Sequence, residues 1–444
     1  MSEKEKISRY KEMTIRYGDP WIWGIYLTLV VLSIVESYSA SSRDVAMMGV
    51  YEPIIKQVSY LFIGALFVVG LSRVNYNNKM LLLVLIPLLW IFTMVALVYV
   101  LLAGEVVNGA QRAFTIPIIN LSVQPSELAK LSAVTALAYI MAKNQEDRDV
   151  STKGVAISAA LVAFFGGLMI NSGLTNTLLL MCISATMFVV GGARIKKLLA
   201  VLAIYAVVGG LFWVWKDLSE KREENMRQVT AVQDDKAKSV DKSKVVERHG
   251  MRKDRIYNWL HRDELIKDSV NSENSQEMFS IMAQAHGGLW GVGIGNSREC
   301  SRLPLAFSDY IFSIILEEIG LVGGIFVMIL YLWLLSRAAM IARRCHRVLP
   351  ALLIIGMASM ITFEALFHMA INTGVFPVSG QPLPFISKGG TSILVNSIAI
   401  GVMLSVSRTI ANTDNGKNKD DGIALPSGLD ARNPSEIPVK NEWK

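Results

Sequence analysis

Charged side chains are scarce in this chain. Asp, Glu, Lys and Arg make up 18% of its 444 residues, against 52% hydrophobic, too few for a soluble protein of that length. Cysteine is scarcer still, at three. Cys182 falls in an apolar span, Cys300 outside and Cys345 inside on the topology below. No two are expected to meet, which excludes an internal disulfide. No internal repeat is legible. No cleavage pattern follows the first apolar run, which reads as a retained anchor, not a removed signal peptide. The net charge of +7 and isoelectric point of about 9.1 follow from membrane topology and anionic lipid; no nucleic-acid partner is expected.

What the chain does contain is long apolar runs. Ten candidate spans cover Trp21–Ser39, Ile54–Leu71, Leu81–Leu102, Val123–Met141, Val155–Ile170, Leu174–Val190, Leu198–Trp215, Asp309–Leu335, Ala351–Ile371 and Ile393–Val406. With the N-terminus inside, the short inner loops carry twelve Lys and Arg: Arg73, Lys79, Lys143, Arg148, Lys153, Arg194, Lys196, Lys197, Arg337, Arg343, Arg344 and Arg347. The outer ones carry four, Arg43, Lys56, Arg112 and Lys388. A miscount of one span would scramble that asymmetry, so both termini are expected in the cytoplasm. The fold class is an all-α polytopic membrane protein. Residues 1–20 form a cytoplasmic N-terminus, 21–215 the first seven helices, 216–308 a large extracytoplasmic loop, 309–408 the last three helices, and 409–444 a disordered cytoplasmic tail.

The large loop changes character along its length. Residues 231–244 read as a solvated arm. "RIYNWLHRDELI", from Arg255, places Ile256, Trp259, Leu260 and Ile266 at near-helical spacing and predicts an amphipathic surface helix. "HGGLWGVGIGNS" (His286–Ser297) superficially resembles a dinucleotide fingerprint, but no strand precedes it and it faces the wrong side of the membrane. It is a loop shaped either for a substrate or for tight packing.

Ionisable residues inside spans mark function by default, since each costs about 2.5–3.5 kcal/mol at a central position. Glu36 and Lys56, near outer helix ends, are expected to snorkel. Glu127 and Lys130 in "QPSELAK" share one helical face, as a packing pair or as a catalytic or ligand-binding pair. Glu317 with Glu318, and Glu364 with His368, are read as joining helices through hydrogen bonds. Asp309 opens the eighth span. From spacing alone a helix N-cap is its first reading, although Ser308 can do that work instead.

Three stretches, "QPSELAK" (Gln124–Lys130), "LPLAFSDYIFSIILEEIG" (Leu303–Gly320) and "PVSGQPLPFISKGGTSILVNSIAIGVMLSVSR" (Pro377–Arg408), together resemble the SEDS family of shape, elongation, division and sporulation proteins, FtsW and RodA. "YSASS" and "GGTSI…LSVSR" bring the resemblance nearer to the division branch, FtsW. The resemblance implies a peptidoglycan glycosyltransferase in the cytoplasmic (inner) membrane. It would polymerise lipid II, as acceptor, onto a glycan held by undecaprenyl pyrophosphate during septal wall synthesis. The family's essential aspartate maps onto Asp309 as general base: pyrophosphate is already a good leaving group, so one base suffices. Arg112, in "NGAQRAF", Glu127, Lys130, Gln276, Ser308 and Lys388 are carried over as substrate-binding positions. A divalent cation, Mg or Mn, is implied to neutralise the departing pyrophosphate. A class B penicillin-binding transpeptidase and other divisome membrane proteins are the implied partners, with the 231–244 arm as a contact. The alternatives are a lipid II flippase and a RodA-type elongation polymerase. This chain departs from the family pattern at Leu305, Phe307 and Ser308, where relatives carry Glu, His and Thr, at Ala113 and at His368. Asp309 is thus the only acid of its motif before Glu317.

Overall fold

The computed structural model describes residues 3–40, 51–76, 78, 80–107, 110–116, 121–146, 149–170, 173–205, 259–260, 275–303, 306–414, 429 and 431–436. The chain is mostly helical, because a helix satisfies its own backbone polar groups where water is absent. In order the helices are α1 (Glu3–Tyr17), α2 (Pro20–Ala40), α3 (Tyr51–Arg73), α4 (Ile86–Ala103), α5 (Pro125–Lys143), α6 (Thr152–Met169) and α7 (Leu174–Val190). There follow α8 (Ser275–Gly287), α9 (Ile311–Ala342), α10 (Val348–Asn372) and α11 (Gly390–Asp414). Among the described residues six are long and apolar enough to cross a membrane, namely α2, α3, α6, α9, α10 and α11; α4 and α7 are shorter apolar helices. The expected fourth span is α5, whose buried Ser, Thr, Glu and Lys lower its hydropathy. The expected seventh is helical over 195–205 and then leaves the described residues, as does the 231–244 arm.

Helix α10 is the hub. Within its apolar stretch 94% of residues are buried, against 22% for α3, and it packs against α5, α7, α9 and α11. A helix surrounded by protein can carry polar side chains on any face, and α10 does.

Four features depart from the sequence reading. The all-α expectation misses a three-stranded antiparallel sheet, β1 (Glu105–Val107), β2 (Ala110–Ile116) and β3 (Leu121–Val123), and a hairpin of β4 (Gln145–Glu146) with β5 (Asp149–Val150). Strands this short do not stand out beside long apolar runs. The N-terminal segment forms α1, locked to the bundle at Asp19. That side chain caps α2 through the Trp21 and Ile22 amides (3.0 and 3.3 Å) and accepts from Tyr10 (2.9 Å) and Arg337 (2.6 Å). The tail is not disordered throughout: α11 runs to Asp414, and 431–436 dock on the loop between α9 and α10. There Asn433 donates to the carbonyls of Ala342 and Cys345 (2.8 and 2.9 Å) and His346 meets Glu436 (2.7 Å). Finally, Glu36 does not snorkel. It is 0% exposed, because its face of α2 packs against α9, where Ser39 donates to Glu318.

Helix α9 is broken at Gly320 (φ 77°, ψ −177°), and the glycine segment causes the break. The Glu317 and Glu318 carbonyls, which a continuous helix would pair with the 321 and 322 amides, accept instead from Val292 and Gly293 (both 2.9 Å). Leu321 and Val322 donate to the carbonyls of Gly288 and Leu289 (3.0 and 3.3 Å). Four backbone bonds are exchanged between loop and helix, so none is left open. A Cβ at Gly287 would overlap the Leu316 carbonyl, and one at Gly291 the Glu318 carbonyl. Glu317 reaches back to the Ser297 hydroxyl (2.5 Å) and the Arg298 amide (3.0 Å). Gly287 and Gly291 serve tight packing, and they set the angle of the half-helix that Asp309 precedes.

Candidate active site

Residues 306–309 form a turn ahead of α9. The helix's own ladder begins at the Tyr310 carbonyl, which accepts from Ser313 (3.0 Å) and Ile314 (3.4 Å). Tyr310, not Asp309, occupies the N-cap, without a side-chain capping bond. The cap reading of Asp309 is therefore overturned. The Ser313 amide is shared with another helix: Asn372 Oδ1 accepts from it at 3.2 Å and from the Ser313 hydroxyl at 3.0 Å.

The three carbonyls before that ladder are each held by a donor from elsewhere. Phe307 O accepts from the Lys388 amide (2.9 Å), Ser308 O from Ser387 Oγ (2.7 Å) and Asp309 O from Asn372 Nδ2 (2.9 Å). The Asp309 side chain is half-buried, and its Oδ1 accepts from Ser308 Oγ at 2.9 Å. Ser308 thus orients the acid and does not cap the helix. The Lys388 ammonium stands 4.3 Å from the Phe307 ring centroid, a cation–π seat that keeps positive charge beside the turn.

The arm presenting Ser387 and Lys388 is itself strained. Phe385 has φ 65°, an outlier for a bulky residue that costs about 1–3 kcal/mol and persists only where packing over-determines it. Its ring is 1% exposed, edge-on to Tyr26 at 5.4 Å, and Tyr331 donates to the neighbouring Pro384 carbonyl (2.6 Å). Ser387 Oγ accepts from the Leu383 amide (2.7 Å) while donating to Ser308.

Below this turn runs a polar stripe. Glu364, His368 and Asn372 recur every fourth residue on α10, so they share one face, with Glu364 about 12 Å along the axis from Asn372. All three are buried. His368 Nδ1 lies 2.7 Å from the Gln381 carbonyl. A carbonyl only accepts, so Nδ1 carries the proton and Nε2 faces Asn372 Nδ2 (3.3 Å) as acceptor. Glu364 closes a three-member ion cluster: Lys130 Nζ lies 2.8 Å from Glu127 and 3.0 Å from Glu364, with none of the three more than 2% exposed.

The site residues expected from sequence therefore sort into groups. Ser308, Asp309 and Lys388 come together at one turn. Glu127 and Lys130 form the buried cluster with Glu364, which shares a face of α10 with His368 and with Asn372, the residue that reaches the turn. Arg112 lies in β2, its side chain outside the described residues. Gln276 sits in the first turn of α8, away from the turn's fastenings. Two turns later Gln284 makes the connection, donating to the carbonyls of Asn372 (2.8 Å) and Ser280 (3.1 Å). Asn372, Ser387, Gln284 and the Lys130–Glu364 bond were missed. The period-four polar stripe within an apolar helix was the available signal for Asn372. Among the described residues no three His, Cys, Asp or Glu side chains gather as a metal site. The described residues thus offer no such set of ligands to a divalent cation.

Fold and site define a class: a polytopic helical membrane protein whose buried charged cluster connects, along a central helix, to an acid clamped at a helix entrance. The chain belongs to the FtsW/RodA/SpoVE family, whose model, described as "Cell cycle protein", matches residues 20–412. The probable peptidoglycan glycosyltransferase FtsW of Coxiella burnetii is 27% identical over 418 residues, 90% of this chain and 100% of that protein. Stage V sporulation protein E of Bacillus subtilis is 27% identical over 414 residues, 89% of this chain and 99% of its own length. Among solved structures, a chain of a peptidoglycan synthase complex that coordinates polymerization and crosslinking superposes with a TM-score of 0.64 at 23% identity, covering 89% of this chain and 99% of that one. The rod shape determining protein RodA of Thermus thermophilus gives 0.57 at 22% identity, covering 89% and 97%. At such identities the structures establish the shared fold.

Proposed function

We propose that this protein is a peptidoglycan glycosyltransferase that polymerises lipid II at the outer face of the cytoplasmic membrane, with Asp309 as general base. The observation that carries the reading is the placement of Asp309. It stands outside the helical ladder, oriented by Ser308, on a turn whose three carbonyls are fastened to α10 and to the 385–388 arm. The names of its relatives support the activity. In the step proposed, the Asp309 carboxylate takes the proton of the acceptor's 4-hydroxyl. That oxygen bonds to C1 of the lipid-linked glycan, and the bond from C1 to the pyrophosphate oxygen breaks. Undecaprenyl pyrophosphate leaves with the electron pair. It needs no protein acid, which accounts for a site with a single carboxylate. Such a base contributes about 10²–10⁴-fold.

The ten-span topology, with both termini inside and a large outer loop between the seventh and eighth spans, belongs to this proposal. So does a septal role beside a class B transpeptidase partner. The test is to reconstitute the purified protein with that partner and supply lipid II. Glycan strands support the enzyme. Transfer of lipid II across the vesicle bilayer without strands overturns it in favour of a transporter.

A further inference from the structure

We infer that Asn372 is a positioning residue for Asp309: one side chain both caps α9 from outside and holds the backbone of the acid that precedes it. The inference rests on the reading of Asp309 given above. Asn372 is 2% exposed, the last residue of the central helix α10, and its amide is used at both ends. Oδ1 takes the Ser313 amide and hydroxyl (3.2 and 3.0 Å). Nδ2 donates to the Asp309 carbonyl (2.9 Å) and to its own helix at His368 O (3.0 Å). The backbone carbonyl of Asn372 in turn accepts from Gln284 (2.8 Å) and Ser280 (3.2 Å) on α8. Three helices therefore meet at this one residue, α9 at its side chain and α8 at its backbone carbonyl.

The division of labour between its two ends is the useful feature. The oxygen end supports folding, because it gives the first-turn Ser313 amide a second acceptor beside the Tyr310 carbonyl and takes the Ser313 hydroxyl as well. The nitrogen end does something a cap does not need. It fixes the peptide of Asp309, and with it the direction of that residue's Cα–Cβ bond. Neutral His368 reinforces the orientation: its Nε2 accepts from the same Nδ2 (3.3 Å), so the amide cannot flip without setting oxygen against three acceptors, this nitrogen and the Asp309 and His368 carbonyls.

Asn372→Asp separates the two ends. The carboxylate keeps an acceptor for Ser313 and loses the donor to Asp309. The second carboxylate oxygen faces acceptors at a buried site, so the purified complex is expected to melt below wild type; the readout is kcat per folded molecule, at a KM for lipid II within about twofold. Its kcat falls about tenfold or more, since displacing a catalytic group by about 1 Å can cost 10²-fold. Ser387→Ala, which unfastens the neighbouring Ser308 carbonyl, is expected to show the same loss confined to kcat. It serves if Asn372→Asp does not fold. Wild-type kcat in the folded variant, or a loss no larger than the loss of folded protein, overturns the inference. Asp309→Asn runs alongside: if it polymerises normally, the reading of Asp309 fails, whereas an inactive Asp309→Asn beside a fully active Asn372→Asp refutes only the role of Asn372.

Discussion

Replacing Lys130 by Met tests the buried cluster most sharply. Lys130 is 0% exposed and bridges Glu127 and Glu364, which are 2% and 1% exposed on α5 and α10, as the only cation to do so among the described residues. Met fills about the same volume, so the packing loss is small. What is lost is the ammonium, with two charge-assisted hydrogen bonds, leaving two acids facing each other without water. Removing one partner of a buried pair costs about 3–5 kcal/mol, chiefly through the stranded charge. At about 2 °C per kcal/mol, the low end of the range for large domains, the melting temperature drops by about 6–10 °C. Intrinsic-fluorescence melting in detergent micelles measures this directly. The triple variant Glu127→Gln, Lys130→Met, Glu364→Gln removes all three charges while keeping polar amides, and should recover more than half of the drop. A Lys130→Met melting temperature within 1 °C of wild type would refute the reasoning, and so would a triple variant no better than the single.

Two further outcomes follow from the geometry. Gly287→Ala forces a methyl into the Leu316 carbonyl; it should cost more than the roughly 1–3 kcal/mol of an ordinary overpacked site, with faster amide exchange at Val292 and Gly293 as the local readout. In the β4–β5 hairpin, burial alone would raise the pKa of Asp149, but the Lys197 ammonium (2.9 Å) and the Arg194 amide and guanidinium outweigh it and hold the carboxyl below its ordinary value. A depressed carboxylate stabilises the fold above its unfolded pKa and loses that contribution as pH falls through the folded value. Asp149→Asn should therefore cost up to about 1 kcal/mol at neutral pH, a difference that shrinks on acidification below the usual carboxylate range.

Much of this was legible in the sequence, for identifiable reasons. Apolar runs announce helices that face lipid or protein on every side, so α2, α3, α6 and α10 fell within a few residues of expectation, while α9 and α11 run on to Ala342 and Asp414, past the expected ends at Leu335 and Val406. Asp309 was marked by its motif, and "QPSELAK" marked Glu127 and Lys130. The misses share a cause, which is sequence distance. Lys130 and Glu364 are 234 positions apart, and Asn372 reaches Asp309 across 63. No local pattern states which acid will meet which base. Whether the glycine segment served ligand or packing could not be decided from composition, because the answer lay in four backbone bonds to a break in α9. The short strands and α1 were lost beside stronger hydropathy signals.

The central claim is that Asp309 removes the proton in the bond-forming step. The direct measurement is the single-turnover rate of glycan elongation by the folded Asp309→Asn complex at saturating lipid II, with lipid II affinity determined on the same preparation. The account predicts a rate lower by about 10²–10⁴-fold at an affinity within about threefold of wild type. Elongation at the wild-type rate would contradict it.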